Sequence, residues 1–244
     1  MGTYENIYNQ VIENAAKLPK TLLSSITAPE AIYEPPAYAE AHIRVMIMGS
    51  EAHGGGAPLS EASIDITASQ RLDWKKSCFH EYAVEVANST PFWRQFDWIS
   101  QGLGLPGRAA IAWSNACRVQ RVEPIGKSYA PDKGPPLYDD NYGATRLVVG
   151  EWQSPLVALE WELLKPDVVI VSAKDGFRWL NKTFPNLERR DATVDGFRME
   201  VWENLPSPTI GVNHPAYGRD APKEAQNEVL GLIKELIASD VTPI

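Results

Sequence analysis

Asp167-Val-Val-Ile-Val-Ser172 narrows the folds open to this chain more than any other stretch. Side chains alternate along a strand, so four β-branched residues in a row make both of its faces apolar. Such a strand needs cover on both sides, the situation of a parallel sheet between helices. Ile43–Met48, Ala109–Trp113 and Thr209–Val212 are further short apolar runs that read as core strands. Between them the apolar period is helical. Residues 3–18 align Tyr4, Ile7, Val11, Ala15 and Leu18, and residues 151–164 align Trp152, Leu156, Leu159 and Leu163. Phe92–Gln101 follows Thr90 and Pro91, an N-cap and a proline at the first helical position, and stops at Gly102, Gly104 and Pro106. Asp175–Lys182 is a short helix, and Ala221–Ser239 a final one with Ala225, Val229, Leu232, Ile233 and Leu236 on one face. Asp195-Gly196 within Thr193–Trp202 signals a hairpin. The order predicts an α/β protein: a three-layer α/β/α sandwich with a mainly parallel central sheet.

No repeat or linker divides the chain, so residues 1–244 are expected to form a single α/β domain. Residues 1–40 supply the N-terminal helix and an irregular lead-in marked by Pro29, Pro35 and Pro36. Residues 121–150 read as a long insertion loop, with Pro124, Pro131, Pro135 and Pro136 among Tyr129, Tyr138 and Tyr142. Loops of that length in a compact domain are often functional, the alternative being an insertion that only packs on the surface. A formal net charge of -8 argues against a broad nucleic-acid surface, because non-specific binding comes from Lys and Arg meeting phosphate. It leaves room for a local patch. Arg71, Trp74, Lys75, Lys76, Phe79 and His80 form a basic-aromatic cluster that can hold a phosphate or stack a base, or can be a solvated helix face. The two cysteines, Cys78 and Cys117, make neither a disulfide framework nor a metal-ligand spacing. No spanning run of apolar residues and no signal-peptide pattern is present. The expectation is a cytoplasmic, monomeric protein with no membrane partner and no cofactor.

The chemistry gathers after the strands. Gly49–Gly56 reads as a loop at the carboxyl end of Ile43–Met48, where ligands bind in open α/β sheets. Gly54, Gly55 and Gly56 would let the backbone approach a ligand and offer its N–H groups to phosphate, or would serve chain reversal alone. Ser50, Glu51 and His53 would stand at the same mouth. Asn115 follows the second apolar strand and His214 the last one. Strand ends of a parallel sheet share one rim, so Glu51, Asn115 and His214 are expected to converge. A carboxylate can orient water or stabilise a cation, an amide can read a donor/acceptor edge, and a neutral imidazole can donate to a carbonyl that gains charge. That set suits hydrolysis of an N-glycosidic bond, in which the sugar becomes cation-like and the base anionic. The plainer alternatives are that Asn115 caps a turn, that Glu51 is a helix N-terminal carboxylate, and that His214-Pro215 is a structural turn. Ser50 lacks the G-x-S-x-G elbow of a serine hydrolase.

Four of these segments resemble, in order, the motifs of the uracil-DNA glycosylase superfamily. Gly49-Ser50-Glu51-Ala52-His53-Gly54 looks like its first motif, a glycine followed by a polar pair holding the catalytic carboxylate. Trp113-Ser114-Asn115-Ala116-Cys117-Arg118-Val119 resembles its second strand, whose asparagine reads the uracil edge. Lys165-Pro166-Asp167-Val168-Val169-Ile170 is similar to the entry into its third, and Asn213-His214-Pro215-Ala216-Tyr217 to its histidine-proline motif. The resemblance runs from about residue 43 to the C-terminus. It implies that Glu51 activates water, that Asn115 reads the base with help from Ser50 and His53, and that His214 stabilises the base oxygen. It also implies that Phe79 stacks on the flipped base, and that Gly54–Gly56, Arg118 and Tyr217 hold the DNA backbone. The chain departs from the pattern in the extra methylene of Glu51, in the glycines that replace a proline-aromatic pair, and in the 121–150 insertion. With no four-cysteine cluster, the iron–sulfur branch is excluded.

The expected activity is removal of a deaminated or damaged base flipped from DNA. The expected partner is uracil- or damaged-base-containing DNA, or a nucleotide. Two other readings stay open: a glycosylase-like fold that only binds a nucleotide, nucleic acid or protein, and an N-glycoside hydrolase for free nucleosides or nucleotides.

Overall fold

The structure is a computed structural model, and it describes residues 2–15, 17, 29–51, 70, 73, 76–77, 79, 90–117, 142–173, 176–192, 197–213 and 221–240. In chain order the elements are α1 (Gly2–Ala15), β1 (Val45–Glu51), α2 (Pro91–Leu103), β2 (Ile111–Cys117), α3 (Tyr142–Leu164), β3 (Val168–Ser172), α4 (Gly176–Thr183), β4 (Glu188–Asp191), β5 (Met199–Glu203), β6 (Thr209–Val212) and α5 (Lys223–Asp240). The strands form one six-stranded sheet in the order β2-β1-β3-β6-β5-β4. The first four are parallel; β5 is antiparallel to β6, and β4 to β5. The fold is α/β with a mostly parallel open sheet.

Alternation along the strands builds two cores. Val45 and Ile47 of β1 join Ile111, Trp113, Val168, Ile170 and Ile210 in a cluster with Trp93, Phe96 and Ile99 of α2 and Val229 and Ile233 of α5. Met46 and Met48, one residue out of phase, join Val169 and Val171 in a second cluster with α1, α3 and α4. All five residues of β3 are buried, as its unbroken β-branched run requires.

Local chemistry starts and stops α2. Thr90 is extended and Pro91 opens the helix, although no side-chain cap hydrogen bond forms. Gly104 closes it in the left-handed conformation, φ 67°, where its lack of Cβ removes the steric penalty. Asp97 of α2 then grips Arg108 through two hydrogen bonds of 2.6 Å, from Nε and from Nη2. This bidentate pair ties the turn before β2 to α2. At the amino edge of the sheet, Asp167 accepts from the Arg44 backbone N–H at 2.8 Å and from its Nη2 at 2.7 Å. Burial works to raise the Asp167 pKa, but the hydrogen bonds and charge of Arg44 outweigh it, and the net shift is downward.

Several boundaries differ from the sequence reading. α1 ends at Ala15 rather than at residue 18. α3 begins at Tyr142, so 142–150 is helix rather than part of an irregular insertion. Gly143, Gly150, Val148 and Val149 lower helix propensity there, and the proline-rich stretch before them suggested a loop. The hairpin's first strand, β4, is Glu188–Asp191, outside the expected Thr193–Trp202. Every one of its residues is exposed, so it carries no hydrophobic alternation to read. The Asp195-Gly196 turn lies outside the described residues, as does 121–141.

Candidate functional site

β1 does not stop where its apolar run stops. It continues to Glu51, with Gly49 paired to Asn115 and Glu51 to Cys117 on β2. Gly49, Ser50 and Glu51 are therefore strand residues, not loop residues, and Asn115 lies inside β2 rather than after it. A strand ends where its backbone runs out of ladder partners, and two parallel neighbours carry each other past the last hydrophobic side chain.

The ladder also decides which face Asn115 occupies. Ile111 and Trp113 are in the α2-side core, so Asn115 continues that side, while Ala112 and Ala116 belong to the other. Its amide is 2% exposed, and Nδ2 donates to Glu30 Oε2 at 3.0 Å; Glu30 is 3% exposed. Glu30 arrives on the lead-in segment, which makes an antiparallel bridge from Tyr33 to Trp113 and so covers the outer edge of β2. Gly49, level with Asn115, has no side chain, and Asn115 and Phe92 close over β1 in its place. A Cβ there would stand 2.6 Å from Asn115 Oδ1 and 3.3 Å from Phe92 Cε2. On β3, Ser172 stands one residue beyond the Met48–Val171 pair and is thus level with Gly49. Its Oγ donates to Gln95 Oε1 at 2.6 Å, both groups being buried. Gln95 lies three residues beyond Phe92 on α2, hence on the same helix face. Ser172 in turn pairs with Val212 at the end of β6.

One row thus runs across the carboxyl edge on the α2 side: Asn115, Gly49, Ser172, Val212. Phe92 and Gln95 of α2 stand against it. Two hydrogen bonds brace β2 from behind: Ser114 Oγ donates to Glu160 Oε2 at 3.2 Å, and Gln153 Nε2 donates to the Ala116 carbonyl at 2.8 Å. The row supplies amides, a hydroxyl and an aromatic ring around a residue without a side chain. Amide and hydroxyl groups are of the kind that hydrogen-bond the edge of a flat polar ring. Among the described residues, no group of three or more His, Cys, Asp or Glu could hold a metal ion.

Of the residues singled out by sequence, Asn115 belongs to this row, and the backbone of Ser50 and Glu51 continues directly from Gly49. Phe79 is 1% exposed and packed among Tyr33, Trp93, Phe96 and Trp113, with ring centroids 5.1 to 6.3 Å away. Trp113 precedes Asn115 by two residues on the same side of β2, so Phe79 sits in the aromatic layer adjoining the row. His53, Gly54, Gly55, Gly56, Arg118, His214 and Tyr217 lie outside the described residues, as do Arg71, Lys75 and Arg219. Lys76 is exposed. The chain that leads into His214 leaves the sheet at Asn213, directly after Val212 and so beside Ser172.

Sequence reasoning missed Glu30, Phe92, Gln95 and Ser172. Gln95 had a readable signal, a polar residue on an apolar helix face between Trp93, Phe96 and Ile99. Glu30 had none, because it acts 85 residues away in sequence from a segment with no period.

No protein-family model matches the sequence, and no curated protein matches it.

Proposed function

We propose that the chain hydrolyses N-glycosidic bonds in the manner of a uracil-DNA glycosylase, taking a deaminated or damaged base flipped out of DNA against the carboxyl edge of the sheet. One observation carries the reading: the buried Asn115 amide overhangs Gly49, a residue with no side chain, two positions before a carboxylate on the same strand. In this reading the base meets the carboxyl edge at this amide, which reads the edge of the ring. In this reading Glu51 orients water and stabilises the sugar cation, His214 stabilises the departing base, and the partly buried Phe92, rather than the enclosed Phe79, is the candidate aromatic wall. The ordered sequence motifs support the same assignment.

Single-turnover cleavage of oligonucleotides carrying uracil, hypoxanthine, xanthine or thymine opposite guanine is the test. Glu51→Gln and His214→Ala are each expected to lower the rate on the order of 10²–10³-fold with little change in substrate binding, because both groups act mainly in the transition state. Full rates in both variants would remove the chemical assignment. The net charge of -8 favours a second reading, an N-glycoside hydrolase for free nucleosides or nucleotides. Turnover of nucleosides without turnover of any oligonucleotide selects it. Binding of either ligand without cleavage selects a binding-only role for the site.

A further inference from the structure

We infer that Arg198 and Arg189 form a site for the phosphodiester backbone of a DNA strand, where the carboxyl edge of the sheet meets its α4 face. The inference rests on the proposed function for the kind of ligand, and on the geometry of β4 and β5 for the place.

Arg198 stands at the carboxyl edge. It precedes Met199, which pairs with Val212 at the end of β6, and its carbonyl accepts from the Asn213 N–H at 3.3 Å. The row Asn115, Gly49, Ser172, Val212 thus runs along the edge toward Arg198, and the chain that leads into His214 leaves the sheet beside it. Side chains alternate along a strand, so Arg198 shares a face with Glu200 and Trp202. Arg189 and Asp191 of β4, level with Trp202 and Glu200, share that face too. It is the face packed on α4, because Trp202 meets Phe177 edge-on with ring centroids 5.5 Å apart.

Buried groups fix both guanidinium ions. Arg198 Nε donates to Glu200 Oε1 at 2.9 Å, its Nη2 donates to the same oxygen, and Arg189 Nη1 approaches that oxygen at 3.5 Å. Glu200 Oε2 accepts from Trp202 Nε1 at 3.0 Å, and Trp202 lies against Gly211, where a Cβ would meet the indole at 2.5 Å. The Arg189 guanidinium also lies 5.0 Å from the centre of the Phe177 ring. Two cations therefore share one carboxylate, which leaves a positive charge over. The carboxylate side chain is 7% exposed, while those of Arg198 and Arg189 are 58% and 49% exposed. A guanidinium carries five N–H donors, and Arg198 uses two of them on Glu200. The rest can meet a phosphate, whose oxygens suit paired N–H donors. Because both side chains are already held, a phosphate would immobilise little that is free. Asp191 on the same face works against an anion and keeps the affinity low.

The experiment is the salt dependence of binding by the full chain, read by fluorescence anisotropy with labelled single-stranded oligonucleotides of two unrelated sequences of ordinary bases. Each lost phosphate contact lowers the slope of log affinity against log salt by about 0.7 for a single strand, and so weakens binding about fivefold at about 0.1 M salt. Arg198→Gln and Arg189→Gln should each show that loss, equally on both sequences. Arg198→Lys keeps the charge and should restore the slope. Asp191→Asn should tighten binding. Arg190→Gln is the control: Arg190 lies on the other face of β4, 3.7 Å from Glu203, and its slope should match wild type. Unfolding curves establish that the variants compared are folded. Wild-type slopes in both Arg198→Gln and Arg189→Gln overturn the inference, as does an equal loss in Arg190→Gln, or a wild type that binds neither strand at low salt. Cleavage of base-modified oligonucleotides is read separately. A wild type that cleaves nothing but shows the expected slopes removes the glycosylase reading and leaves this site standing. A wild type that cleaves while the slopes stay unchanged does the reverse.

Discussion

Gly49 controls how closely the Asn115 amide can lie over β1. Gly49→Ala places a methyl group 2.6 Å from Asn115 Oδ1, with Phe92 at 3.3 Å on another side, so at least one of them must move. Asn115 is tethered to Glu30, and Phe92 packs against Trp93 and Phe96 with ring centroids 5.2 and 5.5 Å away. Neither yields easily, and overpacking of this kind costs about 1–3 kcal/mol. Urea unfolding should show that loss. In the proposed reaction the same variant should raise KM more than it lowers kcat, since it displaces the amide that reads the base. Unchanged stability together with unchanged KM would mean that the close approach of Asn115 to Gly49 governs neither the packing nor the reading of the base.

At the scale of elements, β5 shows how a strand that joins a parallel sheet in the antiparallel sense is secured. Glu200, 6% exposed, accepts from Trp202 Nε1 at 3.0 Å and from Arg198 Nε at 2.9 Å, and Arg189 of β4 approaches it at 3.5 Å. One carboxylate thus links β4, β5 and the buried Trp202 indole. Glu200→Ala deprives that indole of its acceptor and is expected to cost about 1–3 kcal/mol in chemical unfolding. Glu200→Gln keeps an acceptor and should cost clearly less. Equal effects would indicate that the charge, rather than the Trp202 hydrogen bond, secures the hairpin. α3 carries a different feature, the exposed Pro155 inside a helix of 23 residues. Proline in a helix interior disfavours it by roughly 3 kcal/mol. Pro155→Ala is expected to raise the thermal midpoint, and a lower midpoint would show that the surrounding packing depends on the ring.

For the whole molecule, acid stability and nucleic-acid affinity follow from charge. The Asp167 carboxyl is held below its ordinary value by Arg44, despite burial. Its contribution is therefore fully present above about pH 4, the ordinary aspartate range, and is lost as pH falls through the lower folded-state value. Both partners are about one-third exposed, so solvent screening limits the pair to on the order of 1 kcal/mol. Asp167→Asn should lower the urea midpoint at pH 7, and the difference from wild type should shrink as pH falls below about 4. A difference that does not vary with pH would assign the effect to geometry rather than charge. With a net charge of -8, any DNA binding must rest on local basic groups drawn from Arg71, Lys75, Lys76, Arg118 and Arg219 and from Arg189 and Arg198. Affinity should then be weak and fall steeply with salt. Binding that persists unchanged at high salt would contradict this origin.

The sequence by itself determined the class of fold and the order of its elements. An unbroken β-branched run such as Val168–Val171 has no stable environment except between two layers, and period and punctuation are properties of neighbours in the chain. Thr209–Val212 and the Thr90-Pro91 helix start were legible for that reason. Tertiary structure decided what neighbours in the chain cannot. The ladder between β1 and β2 carried both strands past their apolar runs, which placed Asn115 on the α2 side and brought it level with Gly49. The exposed β4 acquired its strand from pairing with β5 alone. Glu30 reached Asn115 through a segment with no periodic pattern. A hydrogen bond between residues 85 positions apart leaves no mark on either local sequence, because the free energy that favours each residue type there exists only once the sheet has formed.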